Sequence, residues 1–148
     1  MAKRYFEDII DGERLDCRPV TMTRDDIVAF ARAFDPQPFH IDEALARSSA
    51  FGGLVASSLH VLSACTLVVV EAQGEVAILS GVGIDEVRMF NPVRPGDRLY
   101  VDARWTDLRR SRSRPEEGLA AIKCRVTNQS GDLILTYGYR YLLARRPP

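Results

Sequence analysis

Apolar positions along this chain change their period about halfway, and the change predicts helices first and an antiparallel sheet after them. Ile27, Phe30, Ala31 and Phe34 recur at three- and four-residue spacing, which is one buried stripe of an amphipathic helix. Thr23, with Asp26 three positions on, makes a capping-box-like start in which a hydroxyl and a carboxylate serve orphan amides. The stripe stops at Asp35-Pro36-Gln37-Pro38, because proline has no amide proton and biases its predecessor away from helical angles. A short helical turn is expected at 42–46, and Phe51-Gly52-Gly53 reads as a flexible break. From 57 to 72 apolar groups fall on almost every side, which predicts a long helix enclosed by protein. Its valine run suits a buried strand on propensity alone, but its length and serine-rich start favour the helix.

After Gly74 the period shortens. Segments 76–87, 98–108, 119–128 and 133–144 alternate or run in β-rich residues. Asn91-Pro92-Val93-Arg94-Pro95-Gly96-Asp97 marks a sharp connection between two of them, and Asn128-Gln129-Ser130-Gly131-Asp132 a hairpin loop. Helices followed by strands predict one α+β domain over residues 1–148, an antiparallel sheet wrapped around the long helix.

Composition narrows the partners. The 148 residues are 46% hydrophobic, enough for one well-developed core. Twenty basic and 20 acidic side chains cancel, which argues against nucleic-acid binding by bulk charge and leaves small anions open. Cys17, Cys65 and Cys124 are widely spaced, so no disulfide framework is expected, and Cys65 reads as a small buried hydrophobe. The start, MAKRYFEDIIDGERL, is acidic where a secretory signal is apolar, so a cytoplasmic protein is expected. The apolar run 59–70 contains His60 and falls short of the roughly 20 residues of a membrane span, so no membrane association is expected.

Asp35 and His40 are the most informative pair of side chains. The prolines between them predict a stiff, extended loop able to aim both side chains into one cleft. A carboxylate and an imidazole on one water make a general acid–base pair. Spacing alone favours structural roles, with Asp35 accepting backbone amides at the helix end and His40 supporting the next turn. His60 invites a metal site with His40, but no clustered Cys/His pattern accompanies them, so no metal is expected. A buried, hydrogen-bonded His60, or one in a pocket wall, is the better reading. Gly81-x-Gly83 is too sparse for a nucleotide loop.

Five stretches together carry a family likeness. Phe34-Asp35-Pro36-Gln37-Pro38-Phe39-His40, then Phe51-Gly52-Gly53-Leu54-Val55-Ala56-Ser57-Ser58, resembles the hydratase motif of the MaoC-like family, which includes R-specific enoyl-CoA hydratases. The run from Asp85 through Pro92 to Asp97 resembles that family's strand-and-turn segment, as do Ser111-Arg112-Ser113-Arg114-Pro115 and Val126 to Gly131. The family pattern is D-x-N-P-x-H. Asp35, Pro38 and His40 match it, and Gln37 stands where the family has Asn, one methylene longer. Ser57-Ser58 stands where many hydratases have His-Gly.

The resemblance implies a hot-dog fold and reversible hydration of a trans-2-enoyl-CoA, the reverse being dehydration of an R-3-hydroxyacyl-CoA. It gives Asp35 and His40 the catalytic water, and the backbone amides of Ser58 and Gly53 the thioester oxygen. Gln37, Ser63 and Phe51 become candidate substrate contacts, and Arg88 and Arg94 candidate partners of the coenzyme A phosphates, with Arg109, Arg110, Arg112 and Arg114 behind them. Phe34, Phe39, Met89 and Phe90 join Phe51 as candidates for an acyl channel. Coenzyme A is then part of the substrate, no separate cofactor is needed, and a homodimer or higher homo-oligomer is expected. The alternatives on the same scaffold are a hot-dog acyl-CoA thioesterase and a non-catalytic acyl-CoA-binding protein.

Overall fold

A computed structural model describes residues 2–148. A 3-10 turn at Phe6–Asp8 and two short strands, β1 (Arg14–Leu15) and β2 (Val20–Thr21), precede the helices. These are α1 (Arg24–Phe34), α2 (Pro38–Ile41), α3 (Glu43–Arg47) and α4 (Ser58–Gln73). Four long strands follow: β3 (Ile78–Met89), β4 (Arg98–Arg110), β5 (Glu117–Thr127) and β6 (Leu133–Ala144). They form an antiparallel sheet in the order β1-β4-β5-β6-β3, with β2 also on β4. The sheet wraps α4 without closing into a barrel, the hot-dog arrangement.

Thr23 caps α1, its Oγ1 accepting from the Asp26 amide at 3.2 Å, a contact worth about 1 kcal/mol. The Asp26 carboxylate does not complete the reciprocal half of a capping box; it is one methylene shorter than the glutamate that usually does. On β4 the alternation is plain: Leu99, Val101, Ala103 and Trp105 are buried. They belong to one core with Val61, Cys65, Val68 and Val69 of α4 and Ile122 and Val126 of β5. Each large side chain buried there contributes about 1.5–3 kcal/mol. Gly81 is needed for contact rather than for a nucleotide. A Cβ there would lie 2.7 Å from the Tyr139 ring, so only glycine lets that ring rest on β3.

Two expectations need revision. Residues 35–40 are not an extended loop throughout, because Pro38 begins a helical turn. Proline suits the first position of a helix, where its missing amide costs nothing. Nor is α4 enclosed on every side: Leu59, Leu67 and Val70 are 57%, 51% and 50% exposed. They form one open stripe. On β3, whose outer edge has no partner strand, Leu79, Val82 and Ile84 are about half exposed. Among the described residues no helix is long and apolar enough to cross a membrane.

Candidate active site

The site is assembled where α1 ends, α2 begins and α4 starts. Asp35 is the C-cap residue of α1, held by its amide donating to Ala31 O at 2.8 Å. Gln37, just before Pro38, is extended at φ −73° and ψ 142°, as the residue before a proline must be. The α2 turn that follows is stitched to the segment leading into α4. The Val55 amide donates to Phe39 O at 3.1 Å, and His40 Nδ1–H donates to Val55 O at 2.7 Å. The Ala56 amide then donates to Val93 O at 2.8 Å, fixing this segment to the turn before β4.

These bonds set the chemistry of His40. A backbone carbonyl only accepts, so Nδ1 carries the proton and the neutral ring presents Nε2 as an acceptor. That nitrogen lies 3.4 Å from Asp35 Oδ2. The His40 side chain is 8% exposed and that of Asp35 22%, so the pair is sheltered but reachable. An ionised Asp35 and a neutral His40 are two acceptors facing one small space. Such a pair can accept both hydrogens of one water, leaving its lone pairs free.

A third group touches the carboxylate. Ser57, the N-cap of α4 and fully buried, donates its hydroxyl proton to Asp35 Oδ2 at 2.7 Å. Next to it, the Ser58 amide occupies the first position of α4, where no helical acceptor exists. Asp35, Gln37, His40, Ser57 and Ser58 line one cleft of about 420 Å³, whose apolar walls include Phe39, Phe51, Leu59, Met89 and Phe90. The cleft therefore joins two acceptors, a backbone donor at a positive helix end and an apolar channel. That combination is chemically able to activate a water beside a group that develops negative charge.

A family model described as MaoC like domain matches residues 6–126. The chain belongs to that family. Two solved structures are similar over nearly their whole length. The MaoC-like dehydratase from Rhodospirillum rubrum is 34% identical, with a TM-score of 0.87 over 98% of this chain and 99% of that one. The monoamine oxidase regulatory protein from Archaeoglobus fulgius is 31% identical, with a TM-score of 0.90 over 98% and 97%. The protein MaoC of Klebsiella aerogenes is 34% identical over 100 residues, which are 67% of this chain and 30% of that protein.

The remaining candidate positions of this MaoC-like chain are not among the residues that line the cleft. Gly53 is in the turn below, where Arg94 Nη2 donates to Phe51 O at 2.6 Å. Arg94 is thus a brace for the glycine turn. Arg88 is exposed on β3 opposite Thr136, and Arg114 pairs with Glu117 at 3.1 Å. Arg109 and Arg110 end β4, roughly 40 Å of strand from the Asp97 turn. Ser63 is exposed on the open stripe of α4 and donates to Leu59 O at 2.8 Å. Phe34 is 73% exposed and does not line the cleft.

His60 is neither hydrogen-bonded as expected nor in the cleft wall. It stacks on Phe30 with ring centroids 4.8 Å apart, and burial lowers its pKa. Cys65 is fully buried, and burial pushes its thiol up to about 12, which makes it inert as a nucleophile at neutral pH. Among the described residues no group of three or more His, Cys, Asp or Glu is placed to hold a metal. Sequence reasoning passed over the Ser57–Asp35 bond, which spans 22 residues and leaves no local signal.

Proposed function

We propose that this protein is a hydro-lyase that reversibly hydrates a trans-2-enoyl-CoA to the R-3-hydroxyacyl-CoA. The observation that carries the reading is Asp35 Oδ2 at 3.4 Å from His40 Nε2, in one cleft with the Ser58 amide. Family membership and a similar structure named a dehydratase support it.

In the hydration direction the water held by Asp35 and His40 loses a proton to the pair as its oxygen bonds to C3. The electron pair of the C2=C3 bond moves toward the thioester carbonyl, whose oxygen gains negative charge against the Ser58 N–H. The pair then returns a proton to C2, so its net charge is restored and only water has been consumed. Phe39, Phe51, Met89 and Phe90 provide an apolar channel for the acyl chain.

The test is a panel of short, medium, branched and aromatic enoyl-CoAs, followed by loss of the conjugated double bond and by appearance of free thiol. Loss of the double bond without thiol is the expected result. Thiol release would select a thioesterase, and tight binding with neither would select a binding protein.

The working unit of this reading is a homodimer. Leu59, Met89 and Phe90 line the cleft and are also 57%, 59% and 51% exposed, so the cleft opens onto the same apolar face as Leu67, Val70 and the β3 edge. A second copy pairing along β3 covers both the unpaired edge and the α4 stripe. Leu67→Asp places an unpaired charge in that contact. It is expected to weaken association by ~10²-fold or more while the circular dichroism stays native. Sedimentation equilibrium reads the outcome, and an unaltered dimer in L67D would place the contact elsewhere.

A further inference from the structure

We infer that Ser57 is a positioning residue for the acid–base pair, acting through its hydroxyl on Asp35 rather than only as a helix cap. The assignment rests on the hydro-lyase reading and adds a part to it.

A serine hydroxyl has one proton to give. Ser57 gives it to Asp35 Oδ2 at 2.7 Å and receives the Leu59 amide at the longer distance of 3.3 Å. The short bond is the one that leaves the helix, joining the N-cap of α4 to the C-cap of α1 across 22 residues. Ser57 is 0% exposed, so bulk water does not compete for the bond. The same Oδ2 faces His40 Nε2 at 3.4 Å. The hydroxyl therefore fixes the carboxylate plane relative to the imidazole and leaves Oδ1 without a protein donor among the described residues. The bond is charge-assisted, which makes it stronger than one between neutral groups.

Capping and positioning can be separated because they ask different things of residue 57. Capping needs an acceptor, and glycine replaces serine at an N-cap with only a small loss of stability, whereas alanine does not. Positioning needs the donor, which both variants lack. Ser57→Ala and Ser57→Gly are therefore compared in the full chain for Tm and for kcat and KM of hydration of a four-carbon trans-2-enoyl-CoA.

The expected result is a similar fall in kcat in both, on the order of 10- to 100-fold, with KM changed little. Tm falls further in S57A than in S57G. A rate loss confined to S57A and following its Tm, or a raised KM with wild-type kcat in S57G, overturns the assignment and leaves the residue a cap. Wild-type protein that leaves every double bond intact removes the hydro-lyase reading itself, and this role with it.

Discussion

Asp35→Asn is expected to lower kcat/KM for enoyl thioester hydration by about 10³-fold while leaving Tm nearly unchanged. The asparagine has the size of aspartate, and its amide oxygen still accepts the Ser57 hydroxyl now bound at 2.7 Å. What it loses is the charge and the capacity to take a proton. The site then offers the water one strong acceptor, His40 Nε2, in place of two. His40→Ala is expected to cost as much activity but also some stability. His40 is 6% exposed and supplies the donor for Val55 O, so its removal leaves a small cavity and an unsatisfied carbonyl. Asp35→Asn is for that reason the sharper variant. Single-turnover loss of enoyl absorbance, measured beside a thermal melt, reads both effects. Wild-type turnover in folded D35N would remove Asp35 from the chemistry.

Local patterns in this sequence carried the fold well, and the reasons are physical. The α1 stripe, the serine-started α4 and the four long strands each have a period or a bounding turn within a dozen residues. The expected segment 133–144 coincides with β6, and 76–87 lies two residues ahead of β3 at each end. β1 and β2 have two residues each, too few for any alternation, and exist only because β4 offers an edge. Pro38 was read as a breaker because proline ends helices more visibly than it starts them; the structure uses it as a starter. The open stripe on α4 was illegible for another reason. An apolar face looks the same in sequence whether its own sheet or a second chain covers it.

The site was legible in its chemistry and not in its supports. Asp35, Gln37, His40, Phe51 and Ser58 were named from neighbouring motifs, and all five line the cleft. The bonds that hold the cleft in shape are long-range. Ser57 to Asp35 spans 22 residues, His40 to Val55 spans 15 and Arg94 to Phe51 spans 43. No periodicity encodes them. Arg94 shows the consequence: an arginine beside a substrate loop invites a phosphate, and here its guanidinium serves a backbone carbonyl.

Ser58→Pro gives the second large effect, by removing the backbone donor at the start of α4. Ser58 is the first residue of α4, a position at which proline is favoured because the missing amide has no helical acceptor. The residue before a proline must be extended, and Ser57 already is, at φ −58° and ψ 137°. The helix should therefore form as before, with Ser57 still on Asp35 and Tm within a few degrees of wild type. On the proposed reaction the thioester oxygen then loses a backbone donor, and removing one such donor costs about 10²–10³ in kcat. Ser58→Gly keeps the amide and discards the hydroxyl, so it is expected to retain most of the rate. The pair separates backbone from side chain. If S58P stays active, the carbonyl is polarised elsewhere; if S58G is as poor as S58P, the hydroxyl of Ser58 is the group that matters.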